Sequence, residues 1–391
     1  MLKSTSAQSR PRGDAGHREE SLRSFVAAPP DMVLFGAVAT LVAIGLVMIF
    51  SASSTTGYVD YHDTAYFLKH QLIFLVAGAG IAYVAYRIDY RKLKALAPYI
   101  LILSVLSLIA VLVPHVGVVV GGARRWIGAG ALSLQPSEFA KIALVVYLAA
   151  ALSSRGERIT SLPRGLFPLC VPVAIMAVLI LKEPDMGTAS LLVMTAFTLF
   201  FAAGARIEHL ALIFLATVPP VVATIIASPY KRARIFAFIN PWKDAQNTGF
   251  HVVQSLFALG SGGIFGLGLG QSRSKFFYLP EQYTDFIFSV LGEELGLIGA
   301  LAVVVLFVLF AYRSIRIAIA APDRFGFFLV AGSAATIVIQ AFVNIGVVTS
   351  SWPVTGVPLP FISFGGSSLI VNLIAVALIL NVGRYRRVNL K

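Results

Sequence analysis

The chain has 391 residues, 58% of them hydrophobic and only 13% charged, with a mean hydropathy of +0.84 and a formal net charge of +13. That is more apolar surface than one soluble core can hide, which excludes an ordinary soluble enzyme. The lone cysteine, Cys170, excludes disulfides within the chain and cysteine-based zinc sites.

Residues 1–30 are polar, contain Ser and Arg, and are expected to be a disordered tail. They hold no apolar core followed by a small-residue cleavage site, so the first span is expected to anchor the chain. Beyond them, apolar stretches near the roughly 20 residues that cross a bilayer recur along the chain, too long for barrel strands and therefore helical. They predict ten spans, at about 32–53, 66–86, 96–114, 137–153, 166–182, 187–204, 208–228, 286–312, 326–348 and 366–383. The expected fold is an all-α polytopic integral membrane protein, one domain over 31–387 with a short tail at 388–391. Between the fifth and sixth spans, "LILKEPDMGTASLL" carries Lys182, Glu183, Pro184 and Asp185, which predict a tight turn at a membrane face.

With a cytoplasmic amino terminus, 20 of the 31 Lys and Arg fall in the two tails and the alternate short loops. This positive-inside bias explains most of the basicity without a nucleic-acid partner and places both termini in the cytoplasm. The other face then receives segments at 115–136, 183–186, 229–285 and 349–365. Of these, 229–285 is long and rich in apolar residues, so it is expected to fold against the outer face as a structured extracytoplasmic loop. Six glycines between Gly260 and Gly270 serve turns and close packing, or the approach of backbone amides to a phosphate.

"YLPEQYTDFIFSVLGEELG", residues 278–296, brings Glu281, Asp285, Glu293 and Glu294 to the start of an apolar span. A helix from about Tyr283 would put Asp285 in its first turn, where the helix dipole favours a carboxylate. Glu293 and Glu294 would lie about 12–13 Å deeper at 1.5 Å per residue, facing the bundle interior or a wet cavity because lipid exposure is too costly. In the fourth span, "LQPSEFAKIALVV" places Pro136 at a helix start and Glu138 three residues before Lys141. Lys141 either snorkels outward or meets an acid from another helix; facing Asp285, it would hold that group ionised as a general base.

Further cations gather on the same side. "GGARRWIGAG" supplies Arg124, Arg125 and Trp126, and "SPYKRARIFAFINPWKD" supplies Lys231, Arg232, Arg234 and Lys243. They meet lipid headgroups or hold a pyrophosphate at the membrane surface. Glu183 and Asp185 are candidates for a divalent cation, although a capped turn explains them better. Gln340, Asn344 and Asn372 read as interhelical hydrogen-bonding groups. The irregular "SSWPVTGVPLPFISFGGSS" is expected to be re-entrant or packed on a cavity.

Read together, "GGARRWI", "QPSEFAK", "EPDMGTA", "FINPW", "QSLFALGSGGIFGLGLGQS", "YLPEQYTDFIFSVLGEELG" and "PVTGVPLPFISFGGSS" resemble, in order, the SEDS proteins, the FtsW, RodA and SpoVE group of bacterial peptidoglycan glycosyltransferases. The resemblance covers nearly all of 31–387, and "GLGLGQSRSKFFYLPE" is closer to the FtsW and SpoVE branch than to RodA. It implies a ten-helix enzyme, similar in architecture to GT-C glycosyltransferases, that joins lipid II units outside the bacterial cytoplasmic membrane. Implied partners are lipid II, a class B penicillin-binding protein, other divisome or elongasome membrane proteins, and membrane lipids. The family's essential acid falls on Asp285, its nearby lysine on Lys141 and a second acid on Glu281. Arg124, Arg125, Trp126, Gln135, Glu138, Lys231, Lys243 and Ser367 lie on motifs expected to bind substrate, and a divalent cation, magnesium or manganese, is optional. Two departures stand out: Tyr283 replaces the common His before "TDF", and "GFH", Gly249–His251, replaces "GYQ". Competing readings are a lipid II flippase, which would use polar residues through the membrane depth, and a division scaffold without activity.

Overall fold

The computed structural model describes residues 29–120, 123–128, 133–275 and 279–385, with only the backbone of residues 120, 230 and 231. Apart from residues 29 and 30, the tails expected at 1–30 and 388–391 lie outside the described residues. Apolar stretches and their polar breaks translate directly into helices: α1 (Met32–Tyr61), α2 (Tyr66–Arg87), α3 (Arg91–Leu112), α4 (Pro136–Arg155), α5 (Phe167–Lys182), α6 (Met186–Ala202) and α7 (Ile207–Ala227). Two shorter helices follow, α8 (Pro229–Ile239) and α9 (Phe250–Gly262), before α10 (Ile287–Ile319), α11 (Arg324–Val348) and α12 (Gly366–Arg384). Among the described residues nine helices are long and apolar enough to cross a membrane, and α6 is a shorter apolar tenth. Each of the ten expected stretches is thus helical, and nine of them are long and apolar enough to cross a membrane.

Helix ends follow local chemistry. Asp185 caps α6, its Oδ1 accepting the Thr188 amide at 3.0 Å, so the break expected at "EPD" is a capped turn. One element departs from an all-helical fold: β1 (Gly117–Val120) pairs antiparallel with β2 (Ala123–Ile127), Val118 opposite Trp126. Consecutive valines, with two glycines before the next strand, favour a hairpin over another turn of helix.

The core is built on α11, which packs against α4, α6, α10 and α12, while α12 also lies along α2. Their facing sides carry the largest share of fully buried residues. By contrast α7 buries no residue and presents apolar side chains all round, as a helix surrounded by lipid does.

Helix α10 is not continuous. At Gly296 the backbone turns to φ 69° and ψ −168°, dividing the helix into 287–295 and 297–319. The break strands carbonyls above it and amides below it, and the chain after α9 satisfies both. Leu267 and Gly268 amides donate to the carbonyls of Glu293 and Glu294 at 2.9 and 3.0 Å, and Leu297 and Ile298 amides donate to Gly263 and Ile264 at 2.9 and 3.3 Å. A side chain at Gly266 or Gly296 would collide with the opposing backbone, so this seam requires glycine. The long segment 229–285 therefore does more than cover the membrane face: residues 263–268 run down beside α10 as far as Ile298.

Candidate active site

Asp285 is held by its backbone and left open at its side chain. Glu281 adopts φ 54°, and the amides of Thr284 and Phe286 both bond to its carbonyl at 3.2 Å, so the chain turns sharply before α10. The helix expected from Tyr283 instead starts at Ile287, and Asp285 precedes the N-cap residue Phe286. The tight turn, not the helix dipole, sets its position. Asn344 Nδ2 on α11 donates to the Asp285 carbonyl and to the Val357 carbonyl, both at 2.8 Å. Ser363 Oγ donates to the Thr284 carbonyl at 2.5 Å, and the Phe364 amide to the Tyr283 carbonyl at 2.9 Å. The three consecutive carbonyls of Tyr283, Thr284 and Asp285 are thereby tied down.

No hydrogen bond or ion pair engages the Asp285 carboxylate among the described residues. Half-buried, it faces a cavity of about 320 Å³ lined also by Arg234, His251, Glu281, Asn247 and Thr248. Gly356, at φ 74°, forms a nearby wall, where a Cβ would sit 3.5 Å from Asp285 Oδ2. Burial pushes the Asp285 carboxyl up to about 7, helped by the charge of Glu281 and Asp185 and opposed by Arg234 and Arg125. His251 stacks on Phe286 with ring centroids 5.8 Å apart. Burial, followed by the nearby Arg234, lowers its imidazole below the ordinary value, with Glu281 opposing. Arg234 sends Nη1 to the Val354 carbonyl at 3.3 Å.

Lys141 does not face Asp285, as the sequence led us to expect. It is buried in an ion pair with Glu138 Oε2 at 2.9 Å and donates to Gln340 Oε1 at 2.7 Å. Glu138 lies one turn back on the same helix and is itself buried, so it claims the lysine first. Gln340 and Asn344 are one turn apart on α11. They place Lys141 and the Asp285 backbone on one helix face, about 6 Å apart along its axis at 1.5 Å rise per residue.

A second group adjoins this one. Arg125 Nε donates to the Glu183 carbonyl at 2.8 Å and Nη2 to the Pro184 carbonyl at 2.5 Å, bracing the turn before α6. Gln135 Nε2 donates to Ser137 Oγ at 3.0 Å and to Asp185 Oδ2 at 3.2 Å, while its amide donates to Ser367 Oγ at 3.0 Å. Glu183 is buried with neither carboxyl oxygen hydrogen-bonded among the described residues, and burial and then Asp185 push it up to about 8 against the pull of Arg125 and the nearby Ser137 hydroxyl. Both Asp185 oxygens serve the α6 cap, and no three His, Cys, Asp or Glu converge on a metal position among the described residues. The Glu183 carboxylate is the acid of this turn left for an incoming cation, which would need waters and substrate oxygens to complete its shell.

Arg124 reaches the Leu112 carbonyl at 3.4 Å, Trp126 lies half-buried on the hairpin, and Lys243 is exposed on a short 3-10 turn; none lines the cavity. The Lys231 side chain lies outside the described residues. Arg234 belongs to the expected cation cluster, of which the sequence points to Lys231 and Lys243 rather than Arg234 for substrate binding, and His251 is not among the expected site residues. The signal for His251 was its departure from the common "GYQ"; Tyr283, where the family's histidine is common, packs between Phe67 and Phe364 instead.

Comparison with known proteins identifies relatives of the whole chain. Over 358 residues the chain is 44% identical to stage V sporulation protein E of Bacillus subtilis strain 168, covering 92% of this chain and 98% of the relative. It is also 44% identical over 360 residues to the probable peptidoglycan glycosyltransferase FtsW of Trichlorobacter lovleyi, covering 92% and 94%. A solved structure described as coordinating polymerization and crosslinking by a peptidoglycan synthase complex superposes with a TM-score of 0.75 at 30% identity, covering 91% of this chain and 98% of that one. The rod shape determining protein RodA of Thermus thermophilus superposes at 0.67 and 29% identity, covering 92% and 98%. The family model FtsW/RodA/SpoVE, described as cell cycle protein, matches residues 31–388, and the chain belongs to that family.

Proposed function

We propose that this protein is a peptidoglycan glycosyltransferase that polymerises lipid II, with Asp285 as the general base. The observation that carries the reading is a carboxylate whose backbone is fixed and whose side chain, unengaged among the described residues, faces a cavity that also holds Arg234. Its pKa near 7 suits a group that must accept a proton at neutral pH. The acceptor sugar's 4-hydroxyl attacks the donor's anomeric carbon; the new C–O bond forms as the bond to polyprenyl pyrophosphate breaks. Asp285 takes the hydroxyl proton, and the displaced pyrophosphate leaves as an anion. We assign the stabilisation of that charge to Arg234 on the cavity wall, helped at longer range by Arg125, and a positioning role to Lys141 through Gln340 and α11. A single inverting displacement requires no covalent intermediate, and no step is routed through a metal.

The bias of 20 cations to one face supports both termini in the cytoplasm and the cavity at the outer surface. The structural relative's role in joint polymerization and crosslinking supports a class B penicillin-binding protein as partner. Higher identity to the sporulation protein and FtsW than to RodA supports a role in division or sporulation. The translocation reading drew on Glu293, Glu294, Gln340 and Asn344, and each is hydrogen-bonded within the protein.

The test is polymerisation of purified lipid II by the protein with its transpeptidase partner, the partner's own active site being inactivated. Glycan ladders from wild type that vanish in Asp285→Ala and Asp285→Asn, with folding and partner binding intact, are expected. Equal ladders in all three remove Asp285 from the chemistry.

A further inference from the structure

A second cavity, of about 590 Å³, lies apart from the one that holds Asp285. It is lined by Gln254, Phe257, Ala258 and Ser261 of α9, by Arg273 and Ser274, and by Glu293 of α10. Its level in the membrane follows from α10. From Leu297, just below the break, to Arg316 near the far end of the helix is about 29 Å at 1.5 Å per residue, close to the roughly 30 Å of a hydrocarbon core. Leu297, Ile298, Leu301, Val305 and Val308 are exposed along this stretch, as lipid-facing residues are. The break at Gly296 therefore sits at the boundary between hydrocarbon and headgroups. Because residues 263–268 bond to α10 on both sides of that break, their tip lies at the same level.

The tip is apolar and uncovered. Phe265 is 82% exposed, and Ile264, Leu267 and Leu269 are exposed beside it. A wedge of this kind buries itself about 5–10 Å into the acyl boundary of one leaflet. Arg273 follows immediately and lines the cavity at headgroup height. Its guanidinium makes no hydrogen bond or ion pair among the described residues.

Glu293, the one acid in the lining, is already occupied. Its oxygens accept from Ser272 Oγ at 2.5 Å and from the amides of Arg273 and Ser274 at 2.9 and 3.4 Å. Its carboxylate is thereby held toward residues 272–274, and the charged side chain of the lining left without a partner among the described residues is Arg273.

We propose that this cavity holds the phosphate headgroup of an anionic bilayer phospholipid on Arg273, with the acyl chains lying along the apolar tip of residues 264–269. The proposal rests on the membrane fold and not on the assignment of Asp285. A guanidinium fork matches a phosphodiester, and the neighbouring apolar wedge supplies a surface for the tails. Such a lipid would brace the seam on which α10 and the catalytic turn rest.

The test is native mass spectrometry of the full-length, delipidated protein in neutral detergent, titrated with phosphatidylglycerol or with phosphatidylcholine of the same chains. One phosphatidylglycerol is expected to be retained at least tenfold better than phosphatidylcholine. Arg273→Glu should abolish that preference, and Phe265→Ser should weaken both lipids severalfold while leaving their ratio unchanged. Both side chains are exposed, so the fold is expected to survive either change. Equal retention of the two lipids, or a preference intact in Arg273→Glu, overturns the proposal. Undecaprenyl pyrophosphate displacing phosphatidylglycerol at a tenth of its concentration would assign the site to the prenyl carrier and overturn it also. So would an Arg273→Glu protein that keeps the lipid preference but no longer binds its transpeptidase partner.

Discussion

Two pairs of acids stand at the start of α10 and meet opposite fates. Glu293 and Glu294 are buried and hydrogen-bonded: Ser272 and two backbone amides on the first, Ser51 Oγ at 2.6 Å and the Ser272 amide at 3.3 Å on Oε1 of the second, whose Oε2 has no partner among the described residues. Asp285 and Glu281 line an open cavity; Glu281 accepts from Thr284 Oγ1 at 2.8 Å, but the Asp285 carboxylate has no partner among the described residues. A satisfied buried acid fixes a fold, here by pinning residues 272–274 against the broken helix. An unsatisfied one, on a backbone that cannot move, is available for chemistry. The same side-chain type eight residues apart thus carries structure in one place and reactivity in the other.

Exchanging the members of this comparison separates the two roles. The largest effect is expected at the open acid: Asp285→Asn should reduce polymerisation by about 10²–10⁴-fold, the usual contribution of a general base, without lowering the melting temperature. Glu293→Ala should do the reverse. It leaves buried donors unpaired, costing about 1–3 kcal/mol for each group, so thermal unfolding should drop while activity per folded molecule stays within severalfold of wild type. Lys141→Met should destabilise by about 3–5 kcal/mol, because Glu138 is then an uncompensated buried charge, and the paired change Lys141→Met with Glu138→Gln should recover much of that loss. Both are read by thermal melts in detergent.

A smaller effect concerns stability and pH. The folded-state value of Asp285, about 7, lies above its ordinary 3.8, so the folded protein holds this proton more tightly than the unfolded chain. The ionised form is therefore penalised by folding. That penalty is absent below the ordinary value, grows between the two, and is complete above about 7. Asp285→Asn removes it, so the variant should melt on the order of 1–3 °C above wild type at pH 8 and level with it near pH 4.

Much of this was legible in the sequence because membrane burial is a one-dimensional signal. Length and hydropathy located ten spans, and Pro184 with Asp185 located the turn between α5 and α6. Asp285 and Lys141 stood out as charges beside apolar helices. Their pairing was not legible: Lys141 has a closer acid on its own helix, and which acid wins depends on burial that spacing does not report. The start of α10 also shifted, since the turn at Glu281 is held by Ser363 and Asn344 from distant segments. His251 and Arg234 reach the cavity only through the fold of residues 229–262, where the apolar and polar pattern has no simple period. Of the glycines between Gly260 and Gly270, read as serving turns and close packing or a phosphate, Gly262 and Gly266 pack closely on α10, but the break at Gly296 that receives them is a contact across the helix layer.

The central claim is that the surroundings of Asp285, not its identity alone, make it the base, and the pH dependence of lipid II polymerisation tests this most directly. In wild type, with the transpeptidase partner present, the rate should rise with pH through a midpoint near 7, as Asp285 loses its proton. Arg234→Ala removes a charge that lowers the Asp285 value and should move the midpoint up; Glu281→Gln removes one that raises it and should move the midpoint down. Opposite displacements of the same limb are the predicted result. A limb that stays in place in both variants, or that persists unchanged in the residual activity of Asp285→Asn, would contradict the account.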